Sequence, residues 1–242
     1  MKNKTTLITG AGSGIGLAIS DKFYDEKHNL ILLVKTLKQK INLKRKYNSK
    51  FVRVYNGDLA KYSFIKKISK NISHVDNLIN NAADRNGDHL FKVKKKELDY
   101  LIDLNFKSVF LLTKIFTEKM VKKKIKGSVV NISSQLGHIG AINRTAYCST
   151  KFAIEGFTKS AAMDLGKYGI KINTIAPTKT IVNNKELLLN KQRLKIIKSK
   201  IPSGKFSKKE DIAELCLFLT SSFAHNITGS SLKIDGGWTA GK

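Results

Sequence analysis

The chain has 242 residues, of which 41% are hydrophobic, so it can bury a sizeable core and a disordered protein is excluded. No run of 18 apolar residues is present, which argues against a membrane span, and the first residues enter a strand pattern directly, which argues against a secretory signal. The formal net charge of +27 comes from lysines scattered over most segments without a nucleic-acid-binding motif, so we interpret them as a solvated surface and predict neither a specific nucleic acid nor a membrane as partner.

Short apolar runs alternate with amphipathic stretches along the whole chain. The apolar runs cover residues 5–9, 30–34, 51–55, 77–80, 128–132, 171–175 and 231–234. The helical patterns cover residues 14–26, 62–72, 95–122, 146–167 and 208–219. Strands alternating with helices are typical of a parallel sheet covered on both faces. The pattern predicts an α/β protein, with residues 1–242 forming one doubly wound domain around a mostly parallel, seven-stranded sheet.

A glycine-rich segment follows the first predicted strand and opens the first helix. Its spacing, TGxxxGxG, differs from the usual GxGxxG fingerprint of dinucleotide-binding folds. Glycines at such a turn let the backbone approach a pyrophosphate, which the positive N-terminus of the helix then binds. The alternative is an ordinary glycine-rich connection. The predicted cofactor-binding residues here are Gly10, Ser13, Gly14, Ile15 and Gly16.

The end of the second strand bears on cofactor choice. An acidic residue at this place normally binds the ribose 2′-hydroxyl of NAD, but here Val34 is followed by Lys35. A cation would instead attract a 2′-phosphate, so we predict that NADP(H) is preferred over NAD(H), the alternative being one more surface lysine. After the third strand, Asp58 and Leu59 could meet the adenine, although Asp58 could equally be a helix N-cap.

Tyr147 and Lys151 are four residues apart in a predicted helix and share one of its faces. A free tyrosine has a pKa of about 10, and an adjacent ammonium stabilises the phenolate, so this pair can exchange a proton near neutral pH. Ser134 leaves the end of a buried strand, where its hydroxyl could hold a substrate oxygen. Taken alone, the pair could be an ordinary amphipathic surface. Together with the glycine-rich turn and Ser134, it predicts a dehydrogenase or reductase.

Over its whole length the sequence resembles the non-extended branch of the short-chain dehydrogenase/reductase family, including 3-oxoacyl-carrier-protein reductases and sugar or polyol dehydrogenases. The segments that carry the resemblance are TGAGSGIG at 9–16, Asp58, NNA at 80–82, Asn105, NISS at 131–134, YCSTK at 147–151, NTIAP ending at Pro177, and IDGG at 234–237. Two departures stand out: Ala83 replaces the last glycine of NNAG, and Thr178 replaces the glycine after Pro177.

The resemblance implies a role for each matching residue. Tyr147 would be the acid/base, Ser134 would polarise the carbonyl, and Lys151 would bind the nicotinamide ribose and lower the Tyr147 pKa. Asn105 would hold a water that relays protons to Lys151. Further cofactor contacts would come from Asn81, Ala82, Tyr147, Pro177 and Thr178. The resemblance also implies a homotetramer built partly through the helices at 95–122 and 146–167.

The resemblance implies that the substrate pocket has two walls, the loop after Ser134 and the segment after the sixth strand of the sheet, and their residues predict the substrate. The first wall offers Gln135, His138 and Arg144, which suit a small polar or anionic substrate such as a sugar acid. The second wall, residues 179–209, is rich in lysine, contains Arg193, and has Glu186 opposing these charges. A 3-oxoacyl-thioester reductase docking an acidic carrier protein is the alternative enzyme, and a non-catalytic NAD(P) sensor is the alternative of another class.

Cysteine and histidine usage points away from metals and disulfides. Cys148, Cys216 and the dispersed histidines show neither metal-ligand spacing nor a disulfide framework. We therefore predict no metal site and a reducing, cytoplasmic location.

Overall fold

The computed structural model describes residues 4–85, 89–181 and 191–241, and, within the last range, not the side chain of Arg193. The opposing acid of the predicted second wall, Glu186, therefore lies outside the described residues.

A seven-stranded sheet forms the centre of the molecule, as the apolar runs predict. Its strands stand in the order β3-β2-β1-β4-β5-β6-β9, and all six neighbouring pairs are parallel. A separate two-stranded ribbon joins β7 to β8 and was not predicted. The strands of the described residues are β1 (Thr5–Thr9), β2 (Asn29–Val34), β3 (Val52–Asn56), β4 (Asn77–Asn80), β5 (Ser128–Ile132), β6 (Lys171–Pro177), β7 (Thr180–Ile181), β8 (Ser207–Lys208) and β9 (Ser231–Ile234).

Helices cover both faces of the sheet, which confirms the doubly wound α/β architecture. Ile8 of β1 packs with Phe23 and with helices α1, α2 and α8 on one face, whereas its neighbour Leu7 packs with Phe116 and helices α3, α5 and α6 on the other. The helices of the described residues are α1 (Gly14–Asp25), α2 (Leu37–Lys46), α3 (Tyr62–Asn71), α4 (Lys95–Ile102), α5 (Ser108–Lys122), α6 (Thr145–Gly166), α7 (Lys191–Ser199) and α8 (Lys209–Thr220). Strands buried on both faces explain the uninterrupted apolar runs.

Two helical segments differ from the prediction. Helix α2 was missed because Leu43 is its buried residue and most of its other side chains are charged or polar. Thr36 and Gln39 do form a capping box at its start, which is a readable signal. The single helix predicted for residues 95–122 is divided by a π-helical turn, Asp103–Lys107, which contains Asn105. Such turns are frequent at functional sites.

The parallel arrangement brings all seven carboxyl ends of the strands to one edge of the sheet. Strand order reverses between β1 and β4, and ligands of such sheets bind in the crevice at this point. Among the described residues, no helix combines the length and the apolarity that crossing a lipid bilayer requires.

Candidate active site

The glycine-rich turn between β1 and α1 has space for backbone but not for side chains. Gly10 and Gly14 have φ values of +65° and +56°, which favour glycine. A Cβ on Gly16 would lie 2.2 Å from the carbonyl oxygen of Gly10, so α1 can start this close to β1 only with glycine at 16. Ser13 precedes the helix in an extended conformation, and Ile15 packs against the core. The N-terminus of α1 is thus presented at the crevice, as pyrophosphate binding requires.

Thr9, at the end of β1, holds the loop after β4 against this turn. Its hydroxyl oxygen accepts hydrogen bonds from the backbone N–H groups of Asn81 and Ala82, each 2.9 Å long. The side-chain amide of Asn81 donates to the carbonyl oxygen of Thr9 at 3.0 Å. Asn81 and Ala82 therefore shape the crevice from within the protein, and their direct contact with a cofactor stays a prediction.

Lys35 lies at the end of β2, where the cofactor's adenosine ribose would be bound. Its Nζ donates a hydrogen bond of 2.8 Å to the hydroxyl of Tyr100 on α4 and lies 5.1 Å from the centre of that ring. This hydrogen bond raises the pKa of Lys35, burial partly opposes it, and the nearby carboxylates Asp58 and Asp84 raise it further. Lys35 is thus a fully charged cation held in place by Tyr100, a residue that sequence reasoning missed.

The residues after β3 are placed differently from one of the sequence alternatives. Asp58 is not the N-cap of α3, because that helix begins after Lys61; its Oδ1 instead accepts a hydrogen bond of 3.0 Å from the N–H of Ala60. The side chain of Leu59 is buried in the core, so only its backbone is available for a cofactor.

The structure brings Tyr147, Lys151 and Ser134 close together. Tyr147 is 7% exposed and Lys151 is 3% exposed. The Nζ of Lys151 donates a hydrogen bond of 2.8 Å to the carbonyl oxygen of Ile132 and lies 5.7 Å from the centre of the Tyr147 ring. The hydroxyl of Ser134 also caps a short 3₁₀ turn, Gln135–Gly137, by accepting from the N–H of Leu136 at 3.1 Å. A hydroxyl, a phenol and an ammonium thus converge beside the crevice.

Burial governs the protonation of this group. It raises the pKa of Tyr147, and the hydrogen bond with Ser134 and the charges of Arg85 and Arg144 act in the opposite direction. Burial also lowers the pKa of Lys151 to about 8, which the charge of Glu155 opposes. The tyrosine is therefore a neutral proton donor in the isolated protein, and the lysine is close to the point at which it loses its charge.

Asn105 has a positioning role in the structure. It is 1% exposed, and its side-chain Nδ2 donates to the carbonyl oxygen of Asp84 at 2.9 Å and to the hydroxyl of Thr150 at 3.2 Å. Its Oδ1 accepts from the N–H of Asp84 at 2.9 Å. Both amide hydrogens are therefore used within the protein, and the contact of Asn105 with a relay water stays a prediction.

The predicted substrate residues differ in how exposed they are. Gln135 is buried in the turn after Ser134, and Arg144 precedes α6 with a half-buried side chain whose Nη1 donates to the carbonyl oxygen of Asn143 at 3.2 Å. His138 is half-buried, with its Nε2 3.0 Å from the hydroxyl of Ser231 and 3.3 Å from Oε1 of Glu155, and its contact with a substrate stays a prediction. Among the predicted second wall's charges, Lys191, Lys195, Lys198, Lys200, Lys205 and Lys208 are exposed.

The remaining predicted residues close the crevice after β6. Pro177 is the last residue of β6, and the N–H of Thr178 donates to the carbonyl oxygen of Ile234 at 3.0 Å. Thr178 thereby links β6 to β9 beside the crevice, where a nicotinamide would be bound.

Arg85 is a site residue that sequence reasoning missed. It is exposed and follows Asp84, whose backbone is held by Asn105, which in turn bonds to Thr150 on the helix of Tyr147. The charge of Arg85 lowers the pKa of Tyr147, and it does so more than the charge of Arg144. An arginine at the carboxyl end of β4 is the signal that could have revealed it.

These features define a nicotinamide-dependent oxidoreductase built on a doubly wound sheet. The family model for short chain dehydrogenases matches residues 4–192, and the chain belongs to this family. A curated relative, the 3-oxoacyl-[acyl-carrier-protein] reductase of Thermotoga maritima, is 34% identical, with 98% of each chain covered.

Two solved structures share the fold over nearly the whole chain. A 4-hydroxyisoleucine dehydrogenase complexed with NADH is 32% identical, with 99% of this chain and 100% of that chain covered and a TM-score of 0.91. A putative NAD(P)-dependent gluconate 5-dehydrogenase from Beutenbergia cavernae with bound NADP is 26% identical, with 99% of this chain and 98% of that chain covered and a TM-score of 0.92. The chain is thus an NAD(P)-dependent dehydrogenase or reductase.

Proposed function

We propose that this enzyme prefers NADP(H) and interconverts a secondary alcohol and a carbonyl on a small anionic substrate, such as a sugar acid. The observation that carries the substrate class is the presence of two cations on the segments that flank the site, Arg85 after β4 and Arg144 just before α6. Both charges act to lower the pKa of Tyr147. A carboxylate on the substrate would be attracted to the place where the reacting oxygen must lie.

The groups around the crevice suit a dinucleotide. The start of α1 and the glycine-rich turn would bind the pyrophosphate, and Lys35 would bind a 2′-phosphate. When bound, the cofactor supplies or accepts the hydride. The NADH-bound relative shows that both forms occur among similar proteins. The charged, tethered Lys35 supports NADP(H) for this chain, because a phosphate dianion gains more from it than a hydroxyl does.

The protein's own residues would handle the proton. Ser134 would donate a hydrogen bond to the substrate oxygen and hold it next to Tyr147. During reduction Tyr147 would donate its proton to that oxygen, and the ammonium of Lys151 would stabilise the phenolate that remains. During oxidation the same phenolate would take the proton from the alcohol. Asn105 would keep the loop of Asp84 and helix α6 in register around these groups.

Reduction of three carbonyl compounds by NADPH tests the substrate class: 5-ketogluconate, which carries a carboxylate, L-xylulose, which is neutral, and the neutral acetoacetyl thioester of N-acetylcysteamine. For Arg85→Met we expect KM for 5-ketogluconate to rise about 10-fold, because a charged hydrogen-bonding partner is lost. KM for L-xylulose is expected to change less than about 2-fold. Arg144→Met should act in the same direction.

The matched control is Arg53→Met, which removes an exposed arginine from β3. An unchanged KM for 5-ketogluconate in both arginine variants would contradict the anionic-substrate proposal. Reduction of the thioester alone would favour the activity named for the Thermotoga maritima relative.

We also propose a homotetramer assembled partly through α5 and α6. The rings of Phe110 and Phe157 from these helices lie 5.0 Å apart, and Phe110, Phe152 and Met163 are exposed apolar side chains. Exposed apolar patches mark association surfaces. Sedimentation should give four chain masses for the wild type and a smaller assembly for Phe110→Asp. Phe51→Asp, at an exposed phenylalanine next to β3, serves as the control; a monomeric wild type would refute the assembly.

The proposed location is the reducing cytoplasm. It is supported by the two cysteines, Cys148 and Cys216, which are buried free thiols.

A further inference from the structure

Helix α6 carries a buried carboxylate one turn beyond Lys151. Glu155 is 6% exposed. Its Oε2 accepts a hydrogen bond of 2.8 Å from the hydroxyl of Thr174 on β6, and its Oε1 lies 3.3 Å from the Nε2 of His138. The same ring nitrogen lies 3.0 Å from the hydroxyl of Ser231 on β9. Burying a charge costs free energy unless hydrogen bonds or an opposite charge compensate it, so the Glu155 carboxylate needs such groups around it.

Lys151 is the counter-charge on the same face of the helix. Residues at i and i+4 of a helix are neighbours, and Glu155 is the acidic group that acts on Lys151. Around this pair stand Tyr147 on α6, His138 after the turn that follows β5, and the neutral hydroxyls of Thr174 and Ser231. The pKa of Lys151 is lowered to about 8 by burial, and the Glu155 carboxylate keeps it from falling further.

Glu155 also contacts the loop that carries Ser134. A Cβ on Gly137 would lie 3.1 Å from the Cγ of Glu155 and 2.9 Å from the hydroxyl of Ser133. His138, the next residue, brings its ring to the carboxylate. The loop after β5, which carries Ser134, is therefore packed directly on the side chain of Glu155. The same side chain lies one helical turn from Lys151.

We propose that Glu155, hydrogen-bonded to Thr174 and adjacent to His138, is a positioning residue that keeps the Lys151 ammonium charged for the proton transfer by Tyr147. This inference rests on the proposed roles of Tyr147 and Lys151. Glu155 itself takes no proton from the substrate and acts only through Lys151.

Unfolding by urea at several pH values tests the coupling without any substrate. In the folded protein Lys151 loses its proton at lower pH than in the unfolded chain, so it adds stability as the pH rises above about 8. Glu155→Gln removes the charge that raises the pKa of Lys151, so in this variant the free energy of unfolding begins to rise at a lower pH. The urea midpoint of the variant should therefore lie below that of the wild type at pH of about 7, and the gap should narrow towards pH of about 9.5. Glu118→Gln, at an exposed ion pair with Lys114, should show a gap independent of pH.

The pH profile of kcat/KM for the NADPH-dependent reduction distinguishes a positioning role from a merely structural one. The falling alkaline limb reports proton loss from the coupled Tyr147 and Lys151 pair. In Glu155→Gln this limb should move about one unit to lower pH, whereas Glu155→Asp, which keeps the charge, should leave it in place.

The outcomes separate this inference from the proposed function. The difference in urea midpoint could narrow with pH while the alkaline limb of kcat/KM does not move, or while it moves equally in Glu155→Gln and Glu155→Asp. Either result would overturn the positioning role. A difference in urea midpoint that is the same at every pH would overturn the positioning role, whether or not any carbonyl compound is reduced. If the wild type reduces none of the three compounds, the proposed function fails, and the pH dependence of the gap still decides whether Glu155 sets the charge of Lys151.

Discussion

Replacing Tyr147 with phenylalanine is expected to lower kcat for NADPH-dependent carbonyl reduction by about 10²- to 10⁴-fold, the range typical of a lost general acid. The phenol is buried beside Ser134 and within 5.7 Å, measured from its ring centre, of the Lys151 ammonium. The variant keeps the ring, and therefore the packing, but it has no proton to give. Steady-state kinetics with the best substrate of the panel measures the effect.

The affinity for NADPH should change less than about 2-fold in the same variant, because the proton donor contributes to the transition state rather than to ground-state binding. Tyr168→Phe, which removes an exposed phenol just after α6, is the control and should retain full activity. A Tyr147→Phe enzyme with kcat within about 10-fold of the wild type would show that another group supplies the proton.

Replacing Lys35 with alanine is expected to raise Kd for NADPH about 10- to 100-fold, which corresponds to the loss of one or two charge-assisted hydrogen bonds to a phosphate. Kd for NADH should remain within about 2-fold, because the hydroxyl of NADH gains little from the cation. Fluorescence titration or thermal shift with each cofactor measures both values. Since Tyr100 holds the Lys35 ammonium at 2.8 Å, Tyr100→Phe should give a smaller loss of the same selectivity.

Lys38→Ala is the control for this prediction, since it removes an exposed lysine from α2 three residues further on. A general attraction of NADPH to the basic surface would weaken equally in both variants and would disappear at high salt. Equal binding of NADH and NADPH by the wild type would remove the NADP(H) preference and leave the chemistry of Tyr147 untouched.

Much of the fold and the core of the site follow from sequence patterns, because they depend on local chemistry. Strands buried on both faces must be apolar throughout, so the seven strands of the central sheet stand out as runs such as LILLV before Lys35. A close backbone approach admits only glycine at position 16. The i, i+4 spacing of Tyr147 and Lys151 fixes their common face on α6.

The elements that the sequence analysis missed depend on a few particular contacts rather than on a local sequence pattern. Helix α2 is stabilised by its cap and by the burial of Leu43, so it lacks an apolar stripe from which to be predicted. The π-helical turn around Asn105 depends on long-range bonds to Asp84 and Thr150, which the helical pattern of residues 95–122 does not contain.

The sequence by itself determined the α/β class, the alternation of most strands and helices along the chain, and the residue types that can bind a dinucleotide and exchange a proton. Only the tertiary structure decided which charges surround those residues. Lys35 is bonded to Tyr100 on another element, and the charge of Arg85 acts on Tyr147 from the loop after β4. Glu155 is buried near His138, and its charge raises the pKa of Lys151. Electrostatic effects depend on distance and desolvation in three dimensions, and neither is written in the spacing of residues along a chain.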